Sequence, residues 1–194
     1  MVRWGRFAGI YAVLGLVALA LIWMQGTPLL HPQPRLALDK GSAHLWSLGV
    51  GVGFGLALVL ASRVSVQRYA WARRLHLELR PFAQGLTITG VVVLALLSSI
   101  CEELFFRGLL QPWMGLWAQA LFFGLVHQLP GPSRWVWASW AFLVGLALGV
   151  MYEVTGSLLG PLAAHALVNG LNLSFLKRHD PALLPVDGPV EMRA

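Results

Sequence analysis

The feature that most constrains this chain is a pair of adjacent acids inside its longest apolar run. Leu97-Ser-Ser-Ile-Cys-Glu-Glu-Leu-Phe-Phe-Arg-Gly-Leu-Leu110 places Glu102, Glu103 and Arg107 shortly after Gly90-Val-Val-Val-Leu-Ala-Leu-Leu, on a segment long enough to span a bilayer. A charge at bilayer depth costs several kcal/mol, so such groups face a partner or a wet cavity and mark a function. On a helix Glu103 and Arg107 stand at i and i+4 with the acid first, the favourable order for an ion pair. Glu102 is turned about 100° from Glu103, so the two acids do not easily share that arginine. The spacing therefore predicts a charge-balanced strut, Glu103 with Arg107, and a second carboxylate, Glu102, aimed elsewhere. A competing reading makes all three an inter-helix polar clamp without chemistry.

Composition sets the medium. Hydrophobic residues make up 57% of the 194 residues and charged residues 11%, with a mean hydropathy of +0.69. That excludes a disordered or ordinary soluble chain and predicts an all-α polytopic membrane bundle, one domain by length. The net charge of +6 would hint at nucleic acid in a soluble protein. Here the basic residues cluster in loops and no nucleic-acid module is present, so no such partner is expected. Cys101 is the only cysteine, which excludes an intrachain disulfide.

Six membrane helices are expected: about Phe7–Met24, Leu45–Ser62, Phe82–Gln111, Trp113–Gln128, Trp135–Val154 and Leu158–Leu176. The first run is long for a signal peptide and lacks a small-x-small cleavage site, so it reads as a retained helix with Trp4 and Trp23 at its interfaces. Pro28, Pro32 and Pro34 mark the first loop. Pro81 is expected to open the third helix and Pro112 to separate it from the fourth; Pro130-Gly-Pro132, Gly156 and Gly160-Pro161 mark later turns. The motif-bearing core covers about 85–176, and residues 177–194 form a polar tail.

An even number of crossings puts both termini on one side, and the basic residues choose it. Arg3, Arg6, Arg63, Arg68, Arg73, Arg74, Arg80, Arg134, Lys177, Arg178 and Arg193 fall on one face, against Arg35 and Lys40 on the other. Both termini are therefore expected in the cytoplasm. Arg63–Arg80 reads either as an amphipathic helix on anionic headgroups or as a plain basic loop. The glycines of Gly49-Val-Gly-Val-Gly-Phe-Gly55 suit close helix packing, not phosphate binding.

Few polar groups remain inside the spans: Glu102, Glu103, Arg107, His127, His165 and Asn169, with Glu153 near a helix end. His165 and Asn169 are i and i+4 and share a face. Two imidazoles, an amide and a spare carboxylate on three helices are most economically explained by convergence in one cavity, since lipid offers no other partner. A water held by Glu102, His127 and His165 has sensible chemistry. The carboxylate can take its proton as general base, the histidines can orient it or protonate a departing amine, and Asn169 can donate to a developing oxyanion. This points to peptide hydrolysis within the membrane, without a cofactor. Two other mechanisms use the same region. The histidines with Glu102 could ligate zinc, although no His-Glu-x-x-His pair exists; Cys101 or Ser99 could act covalently, although Cys101 lies on another helix face than Glu102.

Glu102-Glu-Leu-Phe-Phe-Arg107, Phe123-Gly-Leu-Val-His127 and His165-Ala-Leu-Val-Asn169 resemble the Glu-Glu-x-x-x-Arg, Phe-x-x-x-His and His-x-x-x-Asn motifs of the CPBP family, the CAAX proteases and bacteriocin-processing enzymes also called Abi proteins. All three occur in order, and the resemblance covers about Gly85 to Leu171. It implies an intramembrane glutamic endopeptidase with Glu102 as base, with His127, His165 and Asn169 holding water and the oxyanion, and with Glu103 and Arg107 in support. It also implies a membrane-anchored protein or peptide substrate, such as a C-terminal sorting segment, and a bacterial inner-membrane location. The rivals are a non-catalytic immunity or partner-binding scaffold and a proton-coupled transporter. One tension stands: counted from Pro81, Glu102 lies roughly 30 Å along its helix, whereas His127 counts as closer to the cytoplasm.

Overall fold

The computed structural model describes residues 4–26 and 34–181; Arg3, Pro28, Pro32, Arg193 and most of the expected tail lie outside the described residues. Every regular element among them is helical: α1 Trp4–Gln25, α2 Lys40–Arg68, α3 Ala70–Gln84, α4 Ile88–Glu103, a π-helical segment Leu104–Leu110, α5 Gln111–Val126, α6 Arg134–Thr155 and α7 Leu159–Arg178. The ends have local causes. Asp39 caps α2 by accepting from the Gly41 and Ser42 amides at 3.0 and 3.1 Å, and Thr87 caps α4 by accepting from the Gly90 amide at 3.0 Å. Gly156 closes α6 at φ 73°, a conformation that glycine adopts without steric cost.

Five helices are long and apolar enough to cross a membrane, and the chain is an integral membrane protein of bundle type. One of the five, Ile88–Val126, runs 39 residues, about 58 Å at the α-helical rise against a hydrocarbon core of about 30 Å. It does not cross in one piece. Gly115, at φ 81° and ψ 169°, breaks it, and the chain turns back so that the Phe106 and Phe123 rings meet at 4.8 Å between centroids. The expected third and fourth helices are thus the two arms of this hairpin, with three corrected boundaries. Pro81 does not open the membrane arm but lies inside α3. Pro112 does not interrupt the helix, because in its first turn the missing amide breaks no bond. The turn falls instead on Gly115, whose backbone angles suit glycine almost alone.

Side-chain contacts set the direction of each element. At one end Trp4 meets Gly90, Lys177 Nζ donates to the Gln84 and Leu86 carbonyls, Arg80 pairs with Asp180, and Ser133 meets Glu78. At the other end Arg35 pairs with Glu153, Gly51 lies against Gly160 and Ile22 against Gly108. Trp4 and the end of α7 therefore share one face with Arg6, α3, Arg134 and Lys177, the face that the positive-inside rule assigns to the cytoplasm. Arg63–Arg80 is neither one helix nor a loop: α2 runs on to Arg68, Tyr69 breaks the helix, and α3 then packs against α7 and α2. The glycine run divides by face. Gly51 and Gly55 touch Gly160 and Ala164 of α7, while Gly49 and Gly53 meet nothing.

α4 is the central element, with α1 along one side and α7 along the other, while α5 packs on α6. Its buried residues run from Gly90 to Glu103, so the acidic pair is placed in the middle of the bundle.

Candidate active site

Glu103 and Arg107 form the strut. Both side chains are fully buried, and Arg107 Nη1 donates to Glu103 Oε1 at 2.9 Å. Arg107 Nη2 donates to the Gly145 carbonyl of α6 at 2.9 Å, and its guanidinium lies over the Phe123 ring, 4.6 Å from the centroid. One cation thus ties the π-helical segment to α5 and α6. π-Helical turns inside α-helices are frequent at functional sites, and this one starts at the residue after the acids.

Glu103 does more than hold the arginine. The same oxygen, Oε1, is 2.7 Å from His165 Nδ1 of α7. A carboxylate that already faces a guanidinium accepts, so the proton belongs on His165 Nδ1 and Nε2 is turned to the other side. His127 is fixed in the same sense. Its Nδ1 is 2.6 Å from the Phe123 carbonyl, which can only accept, so Nδ1 again carries the hydrogen. Both Nε2 atoms then converge on one carboxylate oxygen: Glu102 Oε2 stands 3.4 Å from His127 Nε2 and 3.8 Å from His165 Nε2. That oxygen is buried and makes no hydrogen bond among the described residues. With both imidazoles neutral, three lone pairs face one point, an arrangement that calls for a hydrogen-bond donor between them.

The hairpin explains how Glu102 and His127 meet. Glu102 lies thirteen residues before Gly115 and His127 twelve after it, so arms of nearly equal length bring them level. α4 starts at Ile88 and not at Pro81, which places Glu102 about 21 Å along it instead of roughly 30 Å. The return arm below Gly115 has room for only about 17 Å before His127 unwinds it. The conflict in depth disappears with the corrected boundaries.

Asn169 is near but not on this point. Its Nδ2 donates to Ser98 Oγ at 3.0 Å, one turn before Glu102 on α4 and one turn past His165 on α7. Glu153 is not part of the cluster: at the opposite end it pairs with Arg35 at 2.8 Å and meets Gln111 Nε2 at 3.3 Å. Cys101 is buried against Gly15 of α1, and Ser99 Oγ is spent on the Ala95 carbonyl at 2.7 Å. Among the described residues no group of three or more His, Cys, Asp or Glu is arranged to hold a metal ion.

Two kinds of polar residue escaped the sequence reading. Tyr11 of α1 hydrogen-bonds through its hydroxyl to Glu102; the available signal was a lone polar side chain in an otherwise apolar first run. Gln111 and Gln119 are buried beside the strut, donating to the Gly149 and Gly145 carbonyls at 2.9 and 3.4 Å.

This architecture, a helical membrane bundle with a carboxylate between two imidazoles, defines a class before it defines a family. Residues 84–171 match the model of the Rce1-like family, described as Type II CAAX prenyl endopeptidase Rce1-like. The matched stretch is the one that carries Glu102-Glu-Leu-Phe-Phe-Arg107, Phe123-Gly-Leu-Val-His127 and His165-Ala-Leu-Val-Asn169, so this part of the chain is similar to the CAAX proteases. It is similar to the uncharacterized protein YpbD of Bacillus subtilis (strain 168), 35% identical over 85 residues that make up 44% of each chain. The chain thus aligns with less than half the length of that relative. No solved structure matches.

Proposed function

We propose that this protein is an endopeptidase that hydrolyses a membrane-presented peptide bond with water activated by Glu102. The observation that carries the reading is the approach of His127 Nε2 and His165 Nε2 to the buried Oε2 of Glu102, at 3.4 and 3.8 Å. A water among these three acceptors donates one hydrogen to Glu102 and one to an imidazole, leaving its lone pair free for a carbonyl carbon. Glu102 takes the proton as the oxygen–carbon bond forms. Asn169 commits one amide hydrogen to Ser98 and keeps the second for the oxyanion. As the carbon–nitrogen bond breaks, the proton held by Glu102 passes to the departing amine, directly or through an imidazole. Low-dielectric surroundings strengthen each of these interactions.

The mechanism uses side chains alone, so cleavage should withstand chelators. The substrate class is a membrane-anchored protein or peptide, including a prenylated or C-terminal sorting segment. The basic end of the bundle and the Bacillus relative support a bacterial inner-membrane location. A quenched-fluorescent, C-terminally prenylated peptide supplied to the protein in proteoliposomes tests the reading. Wild type is expected to release a product that the Glu102→Gln variant, equally well inserted, does not. A Glu102→Gln protein that cleaves at the wild-type rate defeats the assignment. A scaffold that uses the cluster only for packing yields no product from either form and unfolds more readily when the cluster is altered.

A further inference from the structure

α1 lies outside the family-matched stretch, yet it delivers one side chain to the site. Between Phe7 and Ile22, Tyr11 is the only polar side chain, on a helix that leaves Ile10, Val13, Leu16 and Val17 exposed to the lipid. Tyr11 nonetheless packs inward against Leu86, Val91 and Leu94 and hydrogen-bonds to Glu102. Its register is pinned along the helix. Trp4 meets Gly90, Gly15 meets Cys101 and Ile22 meets Gly108, all at one constant sequence offset, so α1 lies parallel to α4 without slip. Gly15 is the tightest of these points: a Cβ there would stand 2.6 Å from Cys101 Sγ.

The bond falls on the carboxylate whose Oε2 stands 3.4 Å from His127 Nε2 and 3.8 Å from His165 Nε2. A carboxylate at the end of a glutamate has two free side-chain torsions beyond its stem, and an unclamped one rotates away from a mark. We propose that Tyr11 is a positioning residue for the general base: its hydroxyl holds the Glu102 carboxylate in the orientation that presents Oε2 between His127 and His165. The proposal rests on the reading of Glu102 as base. It also assigns α1 a purpose beyond anchoring, since the site is incomplete without it.

Tyr11→Phe keeps the ring and its packing and removes only the donor, and the full-length protein in proteoliposomes with the prenylated reporter gives the first measurement. A hydrogen bond to a charged group is strong enough that kcat is expected to fall about tenfold to a hundredfold. KM should stay within about twofold, because Tyr11 holds the base and not the substrate. The second measurement needs no substrate: the infrared carboxylate band of Glu102, assigned as the band lost in Glu102→Gln, is compared between wild type and Tyr11→Phe. A shifted band is expected. A Tyr11→Phe protein with wild-type kcat, or with an unmoved Glu102 band, overturns the proposal. Undiminished cleavage by Glu102→Gln would instead remove the base reading, and the infrared comparison still decides whether Tyr11 holds that carboxylate.

Discussion

Arg107 is fully buried and spends its guanidinium on Glu103, the Gly145 carbonyl and the Phe123 ring. Removing one partner of such a pair leaves a buried charge without compensation, typically a loss of about 3–5 kcal/mol. Arg107→Met is therefore expected to lower the thermal unfolding temperature in detergent sharply, and Glu103→Gln/Arg107→Met to recover part of it. Equal instability of the single and double variants would mean that the charge pairing is not what Arg107 supplies. His127→Ala and His165→Ala act differently. Each is expected to cut cleavage at least about a hundredfold, the lower range for loss of an acid–base group. His165→Ala should also destabilise, because it strips a hydrogen bond from buried Glu103. At this scale the sequence was most legible where spacing along one helix decides geometry. Glu103 with Arg107 follows from i and i+4 alone. That His165 bridges to Glu103 as well as facing Glu102 depends on where α7 lies relative to α4, which no local pattern encodes.

Elements show the same division. The apolar runs are local, and they become helices where the sequence places them; of the α2 glycines expected to pack, Gly51 and Gly55 do and Gly49 and Gly53 do not. The turn between the arms of the hairpin was misplaced, because proline is the louder signal and Pro112 stands in a first helical turn that tolerates it. Gly115 was silent, being one glycine among 21 in the chain. Its backbone angles make it replaceable only at a cost of about 1–3 kcal/mol. Gly115→Ala should thus destabilise the bundle and, by tilting the return arm, separate His127 from Glu102; a variant as stable and active as wild type would show that the turn has no such control. The far end of that arm has its own anchor. Glu78 of α3 accepts from the Ser133 hydroxyl and amide at 2.9 and 3.2 Å, tethering the loop that follows His127. Glu78→Ala is expected to reduce kcat without reducing membrane insertion, measured on the same proteoliposomes.

Across the whole molecule, the basic end is a polar clasp between α3 and the end of α7. His76 donates through Nε2 to the His179 carbonyl at 3.0 Å, beside the Arg80–Asp180 pair and the His179 ring. Burial pushes the His76 imidazole below its ordinary range, against the raising effect of the His179 carbonyl. The folded state thus binds fewer protons there than the unfolded chain. The associated stability is complete above the unfolded value of about 6.5 and is lost as pH falls toward the lower folded value. Thermal unfolding of wild type should weaken between about pH 7.5 and pH 5.5 more than that of His76→Gln; equal pH dependence would detach His76 from the clasp's stability. The bundle was legible in the apolar runs, and the gathering of basic residues at one end of it in the distribution of arginines, because charge placement acts over the whole chain and needs no contact map. The contribution of α1 was not, because its single phenol carries no periodic signal and its partner lies some ninety positions away.

The central claim is that Glu102, held between His127 and His165, activates water for peptide cleavage. The most direct test compares, by mass spectrometry, the membrane and exported proteins of cells expressing wild type or Glu102→Gln at matched levels. A terminus trimmed in the first cells and intact in the second is the predicted result. The same trimmed terminus in both would contradict it.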